Sequence, residues 1–165
     1  MIQSATDSYL RKYNYLTRSS LSEYVFSRTS YLKFGFYNYP LAWNSDDHAW
    51  LDFSVNKPIY TINESIVFIG LSKLNISGKS DNLVLKSQSQ ILFYKYLIFN
   101  KIKFYDPLQR IIFLRRYEND ILKLRKLTYS EWFYLLCYYL KYFEPDEFKK
   151  FIKRFLNTIL RRHDL

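Results

Sequence analysis

Glycine is almost missing from this chain: only Gly35, Gly70 and Gly78 occur. A glycine-rich phosphate loop or dinucleotide fingerprint needs several glycines at fixed spacing, so both classes of nucleotide site are excluded. Cys137 is the lone cysteine, which rules out an internal disulfide. Its neighbours in Leu135-Leu136-Cys137-Tyr138 are apolar, so a small buried hydrophobe is the expected role. A thiol nucleophile would need a histidine beside it, and the chain has just His48 and His163. No apolar run approaches the ~20 residues of a membrane span. The nearest candidate, Trp132 to Leu140, is closed by Glu131 and Lys141. The N-terminal segment has no apolar core and no small-residue cleavage site, so no secretory leader is expected. The sequons at Asn63-Glu64-Ser65 and Asn75-Ile76-Ser77 then carry no meaning for glycosylation.

What is present is aromatic and basic. There are 17 Tyr and 14 Phe, but alanine occurs only at Ala5, Ala42 and Ala49. Cores accept Ala, Leu and Val in place of Phe and Tyr if volume and pattern are kept, so packing alone does not demand this mixture. Phe, Tyr, Ile, Asn and Lys have AT-rich codons, whereas Gly, Ala and Pro have GC-rich ones. In this whole-chain composition the sequence resembles ribosomal proteins encoded in the AT-rich mitochondrial genomes of protists. The resemblance implies a structural ribonucleoprotein component in the mitochondrion, in the matrix or on the matrix side of the inner membrane.

The charge supports a polyanionic partner. Lys and Arg number 25 against 15 Asp and Glu, a net charge of +10. Residues 101–165 hold 15 of the basic and 8 of the acidic residues, so the excess concentrates towards the C-terminal end.

The expected fold is α+β in one domain: an irregular or short-helical wrapping segment over 1–56, a β-containing part over 57–104 and a basic helical part over 105–165. In the first segment, Thr6 or Asp7 can cap a short helix, and Ser20 with Glu23 forms a capping box for Leu21 to Ser27. Residues 31–56 mix aromatics with Gly35, Pro40, Asn38 and Asn44, which predicts an irregular segment that hugs a partner. Ser65 to Leu71 and Leu83 to Lys86 read as strands joined by a turn at Gly78 to Asp81. Gln90 to Phe104 suits a strand or a helix equally. Three helices follow. Asp106-Pro107 opens the first, the capping box Thr128 to Glu131 opens the second, and Glu144-Pro145-Asp146 opens a third. In the third, Phe148, Phe151, Ile152, Phe155, Ile159 and Leu160 form a stripe at helical spacing.

The candidate nucleic-acid-binding residues are Arg110, Arg115, Arg116, Lys123, Arg125 and Lys126, then Lys149, Lys150, Lys153, Arg154, Arg161 and Arg162. Several cations approaching a polyanion together release its counterions, and interleaved aromatic rings can stack on unpaired bases. The plain alternative is the solvated face that any amphipathic helix must have. A basic amphipathic helix can also lie on an anionic membrane, where Tyr and Trp favour the boundary layer. Asp46-Asp47-His48 with Asp52 is the one group resembling metal ligands, and a solvated turn is the expected reading. No catalytic constellation, metal or cofactor is expected. The partners expected are ribosomal RNA and neighbouring proteins, with no small-molecule substrate. The other assembly compatible with these residues is a respiratory membrane complex, with this chain a non-catalytic accessory subunit.

Overall fold

The computed structural model describes residues 2–17, 24–62, 64–68 and 82–160, and the chain divides into two compact units, Met1–Phe93 and Tyr94–Leu165. Among the described residues there are seven α-helices and one antiparallel pair of strands, which makes the chain α+β in the broad sense, with helix dominant.

The first unit begins with strand β1 (Ile2–Ser4). It pairs with β2 (Pro58–Tyr60) in the register Ile2 to Tyr60, Gln3 to Ile59 and Ser4 to Pro58. Ser4 ends the strand and caps helix α1 (Ala5–Tyr13), its hydroxyl accepting from the Asp7 amide at 3.0 Å. The cap thus falls just before the expected Thr6 or Asp7. The expected helix after Ser20 lies partly outside the described residues, and residues 24–27 have no regular structure.

Residues 31–56 are not irregular, contrary to expectation. Ser27 caps α2 (Arg28–Phe34), a 3₁₀ turn covers Pro40–Ala42, and α3 runs over Ser45–Phe53. Gly35 closes α2 at φ 63°, a left-handed conformation in which its amide bonds the Tyr31 carbonyl at 2.8 Å. Glycine is needed there because a Cβ strains that backbone. The short elements are held by tertiary pairs. Lys12 of α1 reaches Asp47 of α3, and Phe93 packs its ring 5.4 Å from Tyr9 and 6.4 Å from Tyr39.

Helix α4 (Leu83–Asn100) corrects the strand expected at Leu83 to Lys86 and resolves Gln90 to Asn100 as helix. The apolar run is only the start of an 18-residue segment, long for a strand and ordinary for a helix. Residues 65–68 carry no regular structure, while the remainder of that expected strand and the turn at Gly78 to Asp81 lie outside the described residues.

In the second unit the local stop and start signals act as read. Asp106 accepts from the Gln109 amide at 2.9 Å and Gln109 returns the bond, opening α5 (Pro107–Leu122). Thr128 and Glu131 form the equivalent box for α6 (Tyr129–Lys141), and α7 covers Pro145–Leu160. Leu97, Ile98, Phe113, Leu114, Ile121, Leu127, Leu135, Tyr139 and Phe151 are each at most 1% exposed and form the core of this unit.

Candidate nucleic-acid interface

The structure separates the candidate cations into three groups: some are committed within the fold, some share a carboxylate at the surface, and a few are uncommitted.

Arg154 is the most deeply committed. Its Nε donates to Glu118 Oε1 at 2.6 Å and its Nη2 to Oε2 at 2.8 Å, with Glu118 only 1% exposed. The Tyr139 hydroxyl completes the cluster at 3.4 Å from Nη2, and burial pushes that phenol up to about 12. Arg154 therefore ties α7 to α5. Arg115 pairs with Glu147, which also takes Lys150 at 2.9 Å. Arg110 donates to the carbonyls of Ile102 and Lys103, each at 3.2 Å, and lies 4.6 Å over the Tyr142 ring. These four residues were expected to face RNA and are engaged in tertiary or helix-surface contacts.

A second set gathers where α5 ends and α6 begins. Asp120, with its side chain fully buried, accepts from Arg116 at 3.1 Å and from Lys123 at 2.8 Å. Arg125 forks onto Glu131 at 2.8 and 2.7 Å. This fork, with burial opposing and the Thr128 amide and hydroxyl assisting, brings the Glu131 carboxyl down to about 2. Lys126, next in the chain, is exposed and forms no ion pair among the described residues. Three cations thus share two carboxylates while Lys126 adds a fourth charge, leaving a local positive excess on the surface. The surface Lys123, Arg125 and Lys126 remain accessible to phosphate, because an ion-paired guanidinium or ammonium keeps further N–H donors free.

Lys149 and Lys153 of α7 are exposed and likewise make no ion pair among the described residues. They flank the apolar side chains Phe148, Ile152 and Leu156 along an open groove of about 420 Å³. Arg161 and Arg162 lie outside the described residues.

The acidic group in the first unit is not a solvated turn. Ser45, Asp47, His48, Ala49 and Leu51 are buried within α3. His48 sits between the Tyr39 hydroxyl, 2.8 Å from Nδ1, and Asp52, 3.0 Å from Nε2, and Tyr37 stacks on its ring at 5.1 Å. Asp47 is occupied by Lys12 and by Asn44 at 2.9 Å. Burial, with Tyr37 and Asp52 nearby, holds the Tyr39 hydroxyl well above its ordinary range. Apart from Asn44 Oδ1, which is buried without a partner among the described residues, these polar groups satisfy one another, which is how a helix so rich in polar residues can be buried. Close by, Tyr24, Phe26, Phe36, Trp50 and Phe53 line an open cavity of about 470 Å³. Their rings pack on each other, with Tyr24 and Trp50 at 4.1 Å and Phe26 and Phe53 at 4.9 Å.

Cys137 is exposed, which corrects its expected burial: its helix turns it outward while Trp132, Leu135 and Tyr139 face inward. His163 lies outside the described residues. No protein-family model, curated protein or solved structure matches the chain.

Proposed function

We propose that this chain is a non-catalytic structural component of a mitochondrial ribosome, contacting ribosomal RNA through the basic surface where α5 ends and α6 begins. The observation that carries the assembly part is the surface itself. Large apolar side chains are exposed throughout both units, from Val25 at 93% and Phe68 at 93% to Phe133 at 67% and Leu108 at 69%. Such a density of exposed aromatic and aliphatic side chains suits a chain that is covered by neighbours in its working state. The RNA part is supported by the net charge of +10 and by Lys123, Arg125 and Lys126 clustered on one exposed stretch.

The test is binding of a ribosomal RNA fragment as a function of salt. Each phosphate neutralised contributes about −0.7 to −0.9 to the slope of log affinity against log salt. Lys123→Gln with Lys126→Gln should flatten that slope by roughly two contacts' worth and leave the helical content unchanged. An unaltered slope would remove these residues from the interface, and undetectable RNA binding would remove the reading. The second reading, an accessory subunit of a respiratory membrane complex, is favoured by the uncharged outward face of α6.

A further inference from the structure

Helix α6 presents solvent with a face that carries no charge. Tyr129, Phe133, Cys137 and Leu140 recur along it at helical spacing, and all four are exposed. The face continues past the end of the helix. Phe143 is 55% exposed and its ring lies 5.4 Å from Phe148, the first residue of the ridge Phe148, Ile152 and Leu156 on α7. The inner flank of α7 is already used: Phe151 is buried, stacks on Tyr139 at 4.6 Å and lies 5.5 Å from Trp132. So α7 has two apolar flanks, one packed and one open, and the open one joins the bare face of α6.

The rim of this surface is predominantly basic. Lys141 on α6 and Lys149 and Lys153 on α7 are exposed and form no ion pair among the described residues. The neighbouring carboxylates are otherwise engaged or set aside. Glu131 is held by Arg125, Glu147 by Arg115 and Lys150, while Glu144 and Asp146 stand at the turn, where the start of α7 favours negative charge.

These features discriminate among occupants. A second copy would set a lysine rim against a lysine rim. A phosphate chain would satisfy the lysines but leave the aliphatic floor of Leu140, Ile152 and Leu156 in water. An acidic partner helix would fill one groove, whereas the bare surface extends over the outer sides of two helices. An anionic bilayer surface matches both parts at once: the boundary layer accepts apolar side chains from both helices, and lysines extend to the headgroups.

We propose that the α6–α7 face rests on an anionic lipid surface, with Phe133, Leu140, Phe143, Ile152 and Leu156 in the boundary layer and Lys141, Lys149 and Lys153 at lipid phosphates. No helix of the described residues is long and apolar enough to cross a membrane, so the contact is peripheral, with both helices lying in the plane. This inference does not rest on the RNA reading, whose cations are Lys123, Arg125 and Lys126.

The experiment is co-sedimentation of the full chain with vesicles of phosphatidylcholine alone and of phosphatidylcholine containing phosphatidylglycerol. The chain should pellet with the anionic vesicles and largely stay in solution with the neutral ones. Lys149→Gln with Lys153→Gln should weaken binding roughly 25-fold, about fivefold per lysine. Phe133→Ser and Leu156→Ser change exposed side chains, should keep the helical circular dichroism, and should each weaken binding at fixed charge. A folded chain that ignores anionic vesicles overturns the proposal, as does binding indifferent to Phe133→Ser and Leu156→Ser. Self-association lost in those two variants would assign the face to a second copy, and displacement from vesicles by ribosomal RNA would assign it to RNA; either overturns the lipid contact. Vesicle binding that fails while RNA retention persists leaves the RNA reading standing, and the reverse result separates the two equally well.

Discussion

Replacing Arg154 by Met tests the reassignment of this residue from an RNA contact to an internal tie. The side chain of Glu118 is 1% exposed, and Arg154 supplies both of its hydrogen bonds, at 2.6 and 2.8 Å. Methionine keeps much of the stem's volume but leaves a buried carboxylate with no counter-charge. Breaking a buried pair in this one-sided way costs about 3–5 kcal/mol. Small domains are stable by roughly 5–15 kcal/mol, so the second unit should lose a large part of its stability. In a thermal melt followed at the helical dichroism band, the midpoint should fall by more than about 10 °C. A second substitution isolates the cause. Glu118→Leu combined with Arg154→Leu removes both charges together and should recover most of the loss, because apolar replacement of a whole buried pair is often near neutral. Arg154→Met that melts like the parent chain, yet binds RNA with a flatter salt slope, would refute the reasoning and return Arg154 to the phosphate surface.

Two further outcomes follow from the same structure. Glu131 ionises at about 2 in the fold because Arg125 and the Thr128 cap stabilise its charged form, against an ordinary value of 4.5. A depressed carboxyl contributes stability that is present above pH 4.5 and is lost as pH falls towards 2. After screening at this partly exposed site the contribution is about 1 kcal/mol. The stability gap between the parent chain and Glu131→Gln should therefore close over that window in acid titrations of the melting midpoint; a gap independent of pH would contradict the assignment. Gly35 adopts φ 63° at the end of α2, and nothing lies within 4 Å of the position a Cβ would take, so Gly35→Ala meets backbone strain without a clash. It should destabilise the first unit by roughly 1 kcal/mol, measured as a lower urea midpoint with unchanged slope, and a stabilising effect would show that the turn relaxes.

The C-terminal helices are readable because their signals are local. Asp106-Pro107 with Gln109, and Thr128 with Glu131, bring donor and acceptor together within one turn. The strands are not, since Ile2–Ser4 and Pro58–Tyr60 find each other across more than fifty residues with no sequence marker for the pairing. Leu83 to Lys86 passes for a strand because a short apolar run does not reveal its period until the helix around it is seen. The site divides in the same way. Arg116 with Asp120 and Lys150 with Glu147 have helical spacings that disclose their pairing, whereas Arg154 finds Glu118 from 36 residues away. Cys137 and Phe133 show the limit of composition: apolar neighbours suggest burial, but the inward face of α6 is filled by Trp132, Leu135 and Tyr139, which leaves these two outside.

The most direct test of the central reading is gradient sedimentation of detergent-solubilised mitochondria, following this chain by mass spectrometry with and without ribonuclease. A ribosomal component bound to RNA should migrate with ribosomal RNA and leave that position after ribonuclease treatment. Migration with membrane complexes, indifferent to ribonuclease, would contradict it and support the accessory-subunit reading.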